Sequence, residues 1–156
     1  MNTNLLTRSL AWKARISLAI LAGVIVTSVT ACSHLAMGKK APGADEFGLG
    51  PRTSAHGLYT ATLQPQAPLR PRRLQMVSVE LRDAGGRPVD GAAIKVDGGM
   101  PQHGHGLPTQ PRVTRNLEGG VYQIEGVRFN MGGWWEFTLA INSAAGPDQV
   151  TFNLAL

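Results

Sequence analysis

The side chains with most to offer chemically are gathered in Gly98–Pro111, which reads Gly-Gly-Met-Pro-Gln-His-Gly-His-Gly-Leu-Pro-Thr-Gln-Pro. The segment is too polar, and too broken by glycine and proline, to read as a strand. It is long for a hairpin loop, and long ordered loops are disproportionately functional. His103 and His105 stand two residues apart. On an extended backbone that spacing puts both imidazoles on one side, about 6 to 7 Å apart at Cα. Gly104 and Gly106 let the backbone bend so that both rings face one point. Imidazole suits copper, zinc and nickel, and a thioether adds preference for Cu(I). Met100 supplies one thioether. A second, Met131, sits between Asn130 and Gly132-Gly133 in another predicted loop. The candidate metal set is therefore Met100, His103, His105 and Met131, with copper ahead of zinc. The same residues also have a plainer reading, in which the histidines are hydrogen-bonding struts that order the loop and the methionines fill the core.

Nothing else in the chain assembles a reactive centre. Hydrolysis by a nucleophile needs an adjacent base and an orienting acid, and Ser78 and Ser143 have neither nearby in sequence. The ten carboxylates are scattered over strand ends and turns. No enzyme is expected.

The elements that must position the loop are strands. Charged residues make up 16% of the 156, while glycine (19) and proline (10) are plentiful; that balance excludes a helical bundle and fits a turn-rich β domain. Leu58–Leu63 is rich in Thr and aromatic residues. In Leu74–Leu81, Val77, Val79 and Leu81 share one face, with Ser78 and Glu80 opposite. Ala92–Val96, Val113–Leu117 and Val121–Ile124 follow. Trp134–Ile141 places Trp135, Phe137, Leu139 and Ile141 in phase, which leaves Trp134 on the other face and partly exposed. Gln149–Leu156 does the same with Val150, Phe152, Leu154 and Leu156. About seven short strands at regular spacing predict an all-β, antiparallel β-sandwich over residues 57–156. Tyr122, just after Gly119-Gly120, is expected at a sheet corner with its hydroxyl satisfied by backbone. Arg70, Arg72 and Arg73, interrupted by Pro71, read as a solvated loop.

The beginning of the chain reads as export. Met1–Arg15 carries three positive charges and no acid, and Ile16–Val26 is an apolar run too short to span a bilayer comfortably. Val29-Thr30-Ala31 then precedes Cys32, the single cysteine. This is the form of a bacterial signal peptide over residues 1–31, ending in a lipobox-like sequence. Cys32 is expected to be lipidated and to hold the protein on the bilayer by its acyl chains. Residues 32–56 contain the breaker clusters Gly38–Gly43 and Gly48–Pro51 and read as a flexible tether; fully extended, its twenty-odd residues would reach roughly 70 to 80 Å. Removing Arg8, Lys13 and Arg15 with the signal leaves 12 basic against 10 acidic residues, so the formal charge of +5 falls to +2. No basic run carries interleaved aromatics, and nucleic acid is not an expected partner.

Three ordered motifs carry a family likeness. Met100-Pro101-Gln102-His103-Gly104-His105-Gly106-Leu107-Pro108, then Gly120-Val121-Tyr122, then Val127–Glu136 (Val-Arg-Phe-Asn-Met-Gly-Gly-Trp-Trp-Glu) resemble the YtkA-like (FixH-related) domain family over roughly residues 57–156. The resemblance implies an exported or membrane-anchored immunoglobulin-like sandwich, often associated with metal handling or respiratory-oxidase assembly. This chain differs from the FixH type in having a lipobox-like end in place of a retained transmembrane anchor. Sequence and resemblance together lead to two expectations. One is an accessory or binding lipoprotein of the bacterial cell envelope, facing the periplasm and holding copper in the loop. The other is a structural or interaction lipoprotein whose loop contacts a periplasmic protein partner without metal.

Overall fold

Alternation of apolar and polar residues dictates the strands. In β3 (Leu74–Asp83), Val77, Val79 and Leu81 are buried while Ser78 and Glu80 turn outward. In β8 (Trp134–Ser143), Trp135, Phe137, Leu139 and Ile141 are buried in the same phase. The side chains of one face thus form a continuous apolar stripe, and removing that stripe from water is the main force that folds the sheet. The computed structural model describes residues 39–156. The remaining strands are β1 (Arg52–Thr53), β2 (Tyr59–Pro65), β4 (Ala93–Met100), β5 (His105–Gly106), β6 (Arg112–Asn116), β7 (Val121–Arg128) and β9 (Gly146–Ala155). The signal-peptide reading of residues 1–31 and lipidation at Cys32 lie outside the described residues.

All seven expected strands form, and the all-β expectation holds. The layering differs from that of two stacked sheets. Hydrogen bonds join the nine strands into one antiparallel sheet, in the order β1-β2-β3-β7-β6-β4-β8-β9, with β5 paired to β4. The sheet curls until its outer strands nearly meet. Residues 47–55 bridge the gap: Phe47 pairs with Asn153 of β9, the Gly48 and Ala55 amides donate to the Asn153 and Gln149 carbonyls, and the Leu63 amide of β2 donates to the Leu49 carbonyl. The architecture is a nearly closed barrel whose interior holds Trp135, Tyr59, Tyr122, Phe129, Phe137 and Phe152.

That closure changes the reading of the segment before the first long strand. It was expected to be free as far as residue 56. Its described part is instead fastened by a 3₁₀ turn at Ala44–Glu46, by the short β1, and by an ion pair of 2.5 Å between Lys39 Nζ and Glu136 of β8. Periodicity gives no warning, because these residues are held mainly through their backbone groups. The same strap explains Trp134. Expected to be partly exposed, it is 6% exposed on the outer face of β8. It borders a hollow shared with Lys39–Gly43 and Glu46, and its indole donates to Asn153 Oδ1 at 3.0 Å.

The barrel end near β2's first residue is tightly knotted. Tyr122 Oη donates to the Val89 carbonyl at 2.6 Å and accepts from the Ala92 amide at 2.9 Å, as its expected corner role requires. Burial pushes its phenol above the ordinary value. Asp148 is buried at the β8–β9 turn and accepts from the amides of His56, Leu58 and Gln149, with His56 Nδ1 3.0 Å away. Burial by itself would raise this carboxyl. Hydrogen bonds from the Ser54 side chain, the Gln149 amide and His56 outweigh it, and the group sits well below the usual carboxylate range.

Candidate functional site

The candidate loop is shorter than the sequence implied. Gly98–Met100 was expected outside any strand, but it completes β4, with Gly98 opposite Phe137 and Gly99 opposite Glu136. Glycine hides a strand from propensity arguments; here it is required by close approach. A Cβ on Gly98 would lie 2.6 Å from the Glu136 carbonyl oxygen. The chain then turns at Pro101–Gly104, where the His103 and Gly104 amides both donate to the Met100 carbonyl, and returns as β5. Gly104 takes a φ of 66° there, a left-handed conformation suited to glycine.

This tight hairpin sets the geometry of three of the four candidate ligands. Met100 and His105 are direct cross-strand partners, so their side chains leave the same face of the sheet. The His103 and His105 rings lie 5.9 Å apart between centroids, inclined by 25°. An ion bound by an imidazole nitrogen sits about 3.2 Å from the ring centre, given metal–nitrogen bonds near 2 Å, so two rings sharing one ion are separated by at most about 6.4 Å. The observed separation falls inside that limit, but the rings are stacked, and because each nitrogen lone pair lies in its ring plane they must rotate about their side-chain bonds to share one ion. Met100 is 2% exposed, with its methyl carbon 2.9 Å from where a Gly133 Cβ would be. The β4–β5 hairpin and the β7–β8 loop therefore touch at Gly133, whose φ of 120° favours glycine.

Met131 belongs to that second loop. What is fixed there is its carbonyl, which accepts from Trp135 Nε1 at 3.0 Å; its side chain is 37% exposed. Met100, His103 and His105 are thus brought together, and Met131 is brought to the neighbouring loop. Among the described residues, no three of His, Cys, Asp and Glu are grouped as a metal site. Beside the two imidazoles the hairpin offers Met100, the thioether opposite His105.

Sequence reasoning missed Trp135 as a neighbour of the loop. Its ring meets His105 edge-on at 5.7 Å and Phe129 at 5.2 Å. The Trp-Trp doublet was the available signal, but only the β4–β8 register shows which tryptophan faces the histidine. Also missed was a groove of about 510 Å³ beside the hairpin, floored by Gly98, Gly99 and Gly106 and edged by Asp97, Glu136 and Thr138.

The profile of the YtkA-like family matches residues 53–140, from β1 through most of β8, with all four candidate ligands inside the match. The chain belongs to the YtkA-like family. No curated protein matches the sequence. Among solved structures the ZirS C-terminal domain is similar at 14% identity over 76% of this chain and 83% of that one, with a TM-score of 0.36, too low to carry an argument. Function therefore has to be argued from this YtkA-like domain's own residues.

Proposed function

We propose that the protein is a membrane-anchored accessory lipoprotein of the bacterial cell envelope, facing the periplasm, that binds copper at the β4–β5 hairpin. The observation that carries this reading is the ring pair His103–His105 at 5.9 Å with Met100 directly across the strand from His105. Two imidazoles and a thioether suit copper in either common oxidation state, and the sulfur favours Cu(I). Met131 is the fourth candidate donor, partly exposed on the adjoining loop. When bound, the metal supplies a soft, exchangeable site; the chain's residues hold and orient it, and the reading contains no catalytic step. The finer architectural reading, an immunoglobulin-like sandwich, rests on the family resemblance and on the regular spacing of the short strands. The lipid anchor draws support from Val29-Thr30-Ala31-Cys32 after the apolar run.

A second reading is favoured by the edge contact of His105 with Trp135. In it the imidazoles are struts that shape a surface for a periplasmic protein partner, and no metal is bound.

Titrating copper and zinc while following thermal unfolding separates the two. The copper reading expects wild type to gain stability that grows with metal excess, and His103→Ala/His105→Ala to fold nearly normally and lose that gain. Because a ligand imidazole must be neutral, the gain should also weaken in acid. Equal responses from both proteins, or a double variant that unfolds early without any metal effect in wild type, would leave the strut reading.

A further inference from the structure

The barrel end that carries the β4–β5 hairpin also carries a feature no metal site needs. β3 begins there with Leu74, which is 70% exposed, the most exposed of the large apolar side chains among the described residues. Its cross-strand partner is Arg128, the last residue of β7. The loop before it supplies Arg70, Arg72 and Arg73, all exposed. Among the described residues none of these four arginines pairs with a carboxylate. The loop is held by its backbone. The Arg70 amide and carbonyl are clasped by the Gln75 side chain, and the Arg72 amide donates to the Phe129 carbonyl at 2.6 Å. Arg72 itself is left-handed, with φ 64°. Guanidinium groups are thus left outward around an exposed leucine. Met76 extends the apolar strip along β3, and Met131 projects from the β7–β8 loop at the same end.

We propose that this end of the barrel is a docking surface for the anionic phospholipid headgroups of the membrane, with Leu74 entering the interface and Arg70, Arg72, Arg73 and Arg128 binding phosphate. Guanidinium matches phosphate oxygens in a bidentate fork and is weakly hydrated, which suits a wet, charged interface. Each basic residue at an anionic surface raises partitioning about fivefold, so four give an enhancement of several hundred-fold, weakened by salt. Glu125, which borders Leu74–Met76, is engaged by Gln123 Nε2 at 2.6 Å and lies opposite Arg112 in the sheet. A single-stranded nucleic acid would need aromatic rings between the cations, and Phe129, Trp134 and Trp135 at this end are all buried.

Chain length points the same way, on the reading that Cys32 is the lipid anchor. The chain is fastened at Lys39 to Glu136, two residues into β8 from this end. Cys32 and Lys39 are seven positions apart, a reach of at most about 25 Å. An anchor on so short a lead keeps this end, and with it the His103–His105 hairpin, close to the bilayer.

The test uses the full chain with Leu74→Cys carrying an environment-sensitive nitrobenzoxadiazole label; where Cys32 also takes up label, Cys32→Ser restores a single position. On phosphatidylcholine vesicles containing phosphatidylglycerol the emission should shift to the blue and return with added salt. On phosphatidylcholine alone it should not shift. Arg70→Gln/Arg72→Gln/Arg73→Gln/Arg128→Gln should abolish the shift while its melting temperature stays near wild type, since all four side chains are exposed. Flotation of the unlabelled protein with neutral vesicles reads the anchor separately. Flotation without a blue shift on anionic lipid overturns docking and leaves the anchor standing. No flotation on neutral vesicles, with an arginine-dependent shift on anionic ones, removes the anchor and keeps docking. A shift that rises with protein concentration in the absence of vesicles identifies a second copy as the occupant and overturns the proposal.

Discussion

The two ends of the barrel use polar side chains in opposite ways. At the end where β2 begins, polar groups are turned inward and consumed. Asp148 gathers three amides and His56, the Tyr59 hydroxyl is shared with Ser143 and the Gly146 carbonyl, and Tyr122 ties the Val89–Ala92 turn. At the other end the loops close mainly through backbone bonds, such as the reciprocal pair between Gly133 and Leu156 and the two amides on the Met100 carbonyl. Arginine, histidine and methionine side chains there are left over. A polar group that satisfies buried backbone is a scaffold element, and its loss leaves partners stranded. A polar group whose neighbours are already satisfied is available for a ligand. The difference teaches where to look for function in an all-β domain of this kind.

The largest expected effect comes from breaking the strap that both ends depend on. A chain beginning at Gly57 lacks the residues that bridge β9 to β2, together with the cover over Trp134. Compared with a chain beginning at Lys39, it should lose cooperative thermal unfolding and show red-shifted tryptophan emission. Matching melting curves from the two chains would mean that the closure contributes nothing.

Next in size is Asp148→Ala, which should lower the melting temperature by many degrees at neutral pH. Its pH behaviour sharpens the contrast. A carboxyl held below its unfolded value contributes stability above that value, about 3.9, and loses it as pH falls further toward the folded value. Wild type should therefore weaken steeply in acid, from about pH 5 downward, and Asp148→Asn should show a flatter acid limb. Parallel acid limbs would show that another group governs acid unfolding.

The smallest is Tyr122→Phe, which leaves the Val89 carbonyl and the Ala92 amide without the hydroxyl and should cost about 1–3 kcal/mol in denaturant unfolding. A change within error would mean that water replaces the hydroxyl without loss.

How much of this the sequence discloses follows from which groups do the holding. Where side chains hold, the residues announce it: the faces of β3, β8 and β9 follow from alternation, and Tyr122 after two glycines signals its corner. Where backbone holds, nothing shows. Phe47 to Thr53 has no period because its role is to lend amides and carbonyls, and Gly98-Gly99 looks like loop because side chains are missing there for the sake of close approach to the Glu136 and His105 backbone. His103 and His105 were legible as a pair from their spacing alone. Trp135 beside His105 and Gly133 beside Met100 were not, because strand register and a loop crossing bring them there. Leu74 and Arg128 stand in the same position: the arginine loop is visible in sequence, but its fourth cation is placed by the pairing of β3 with β7.

The strap also gives the barrel an order of assembly. Asn153 Nδ2 reaches the Glu46 carbonyl 107 residues away. A chain that emerges from the ribosome at about 5 to 20 residues per second must wait roughly 5 to 20 s between making one half of that contact and making the other. Throughout the wait the strap on the outer side of β2 has no β9 beside it, and unpaired strand edges invite pairing with other chains. β9 is thus the strand that latches the first, and a chain that stops short of Asn153 keeps an open seam, available to proteases and chaperones, that a chain extending past Asn153 does not have.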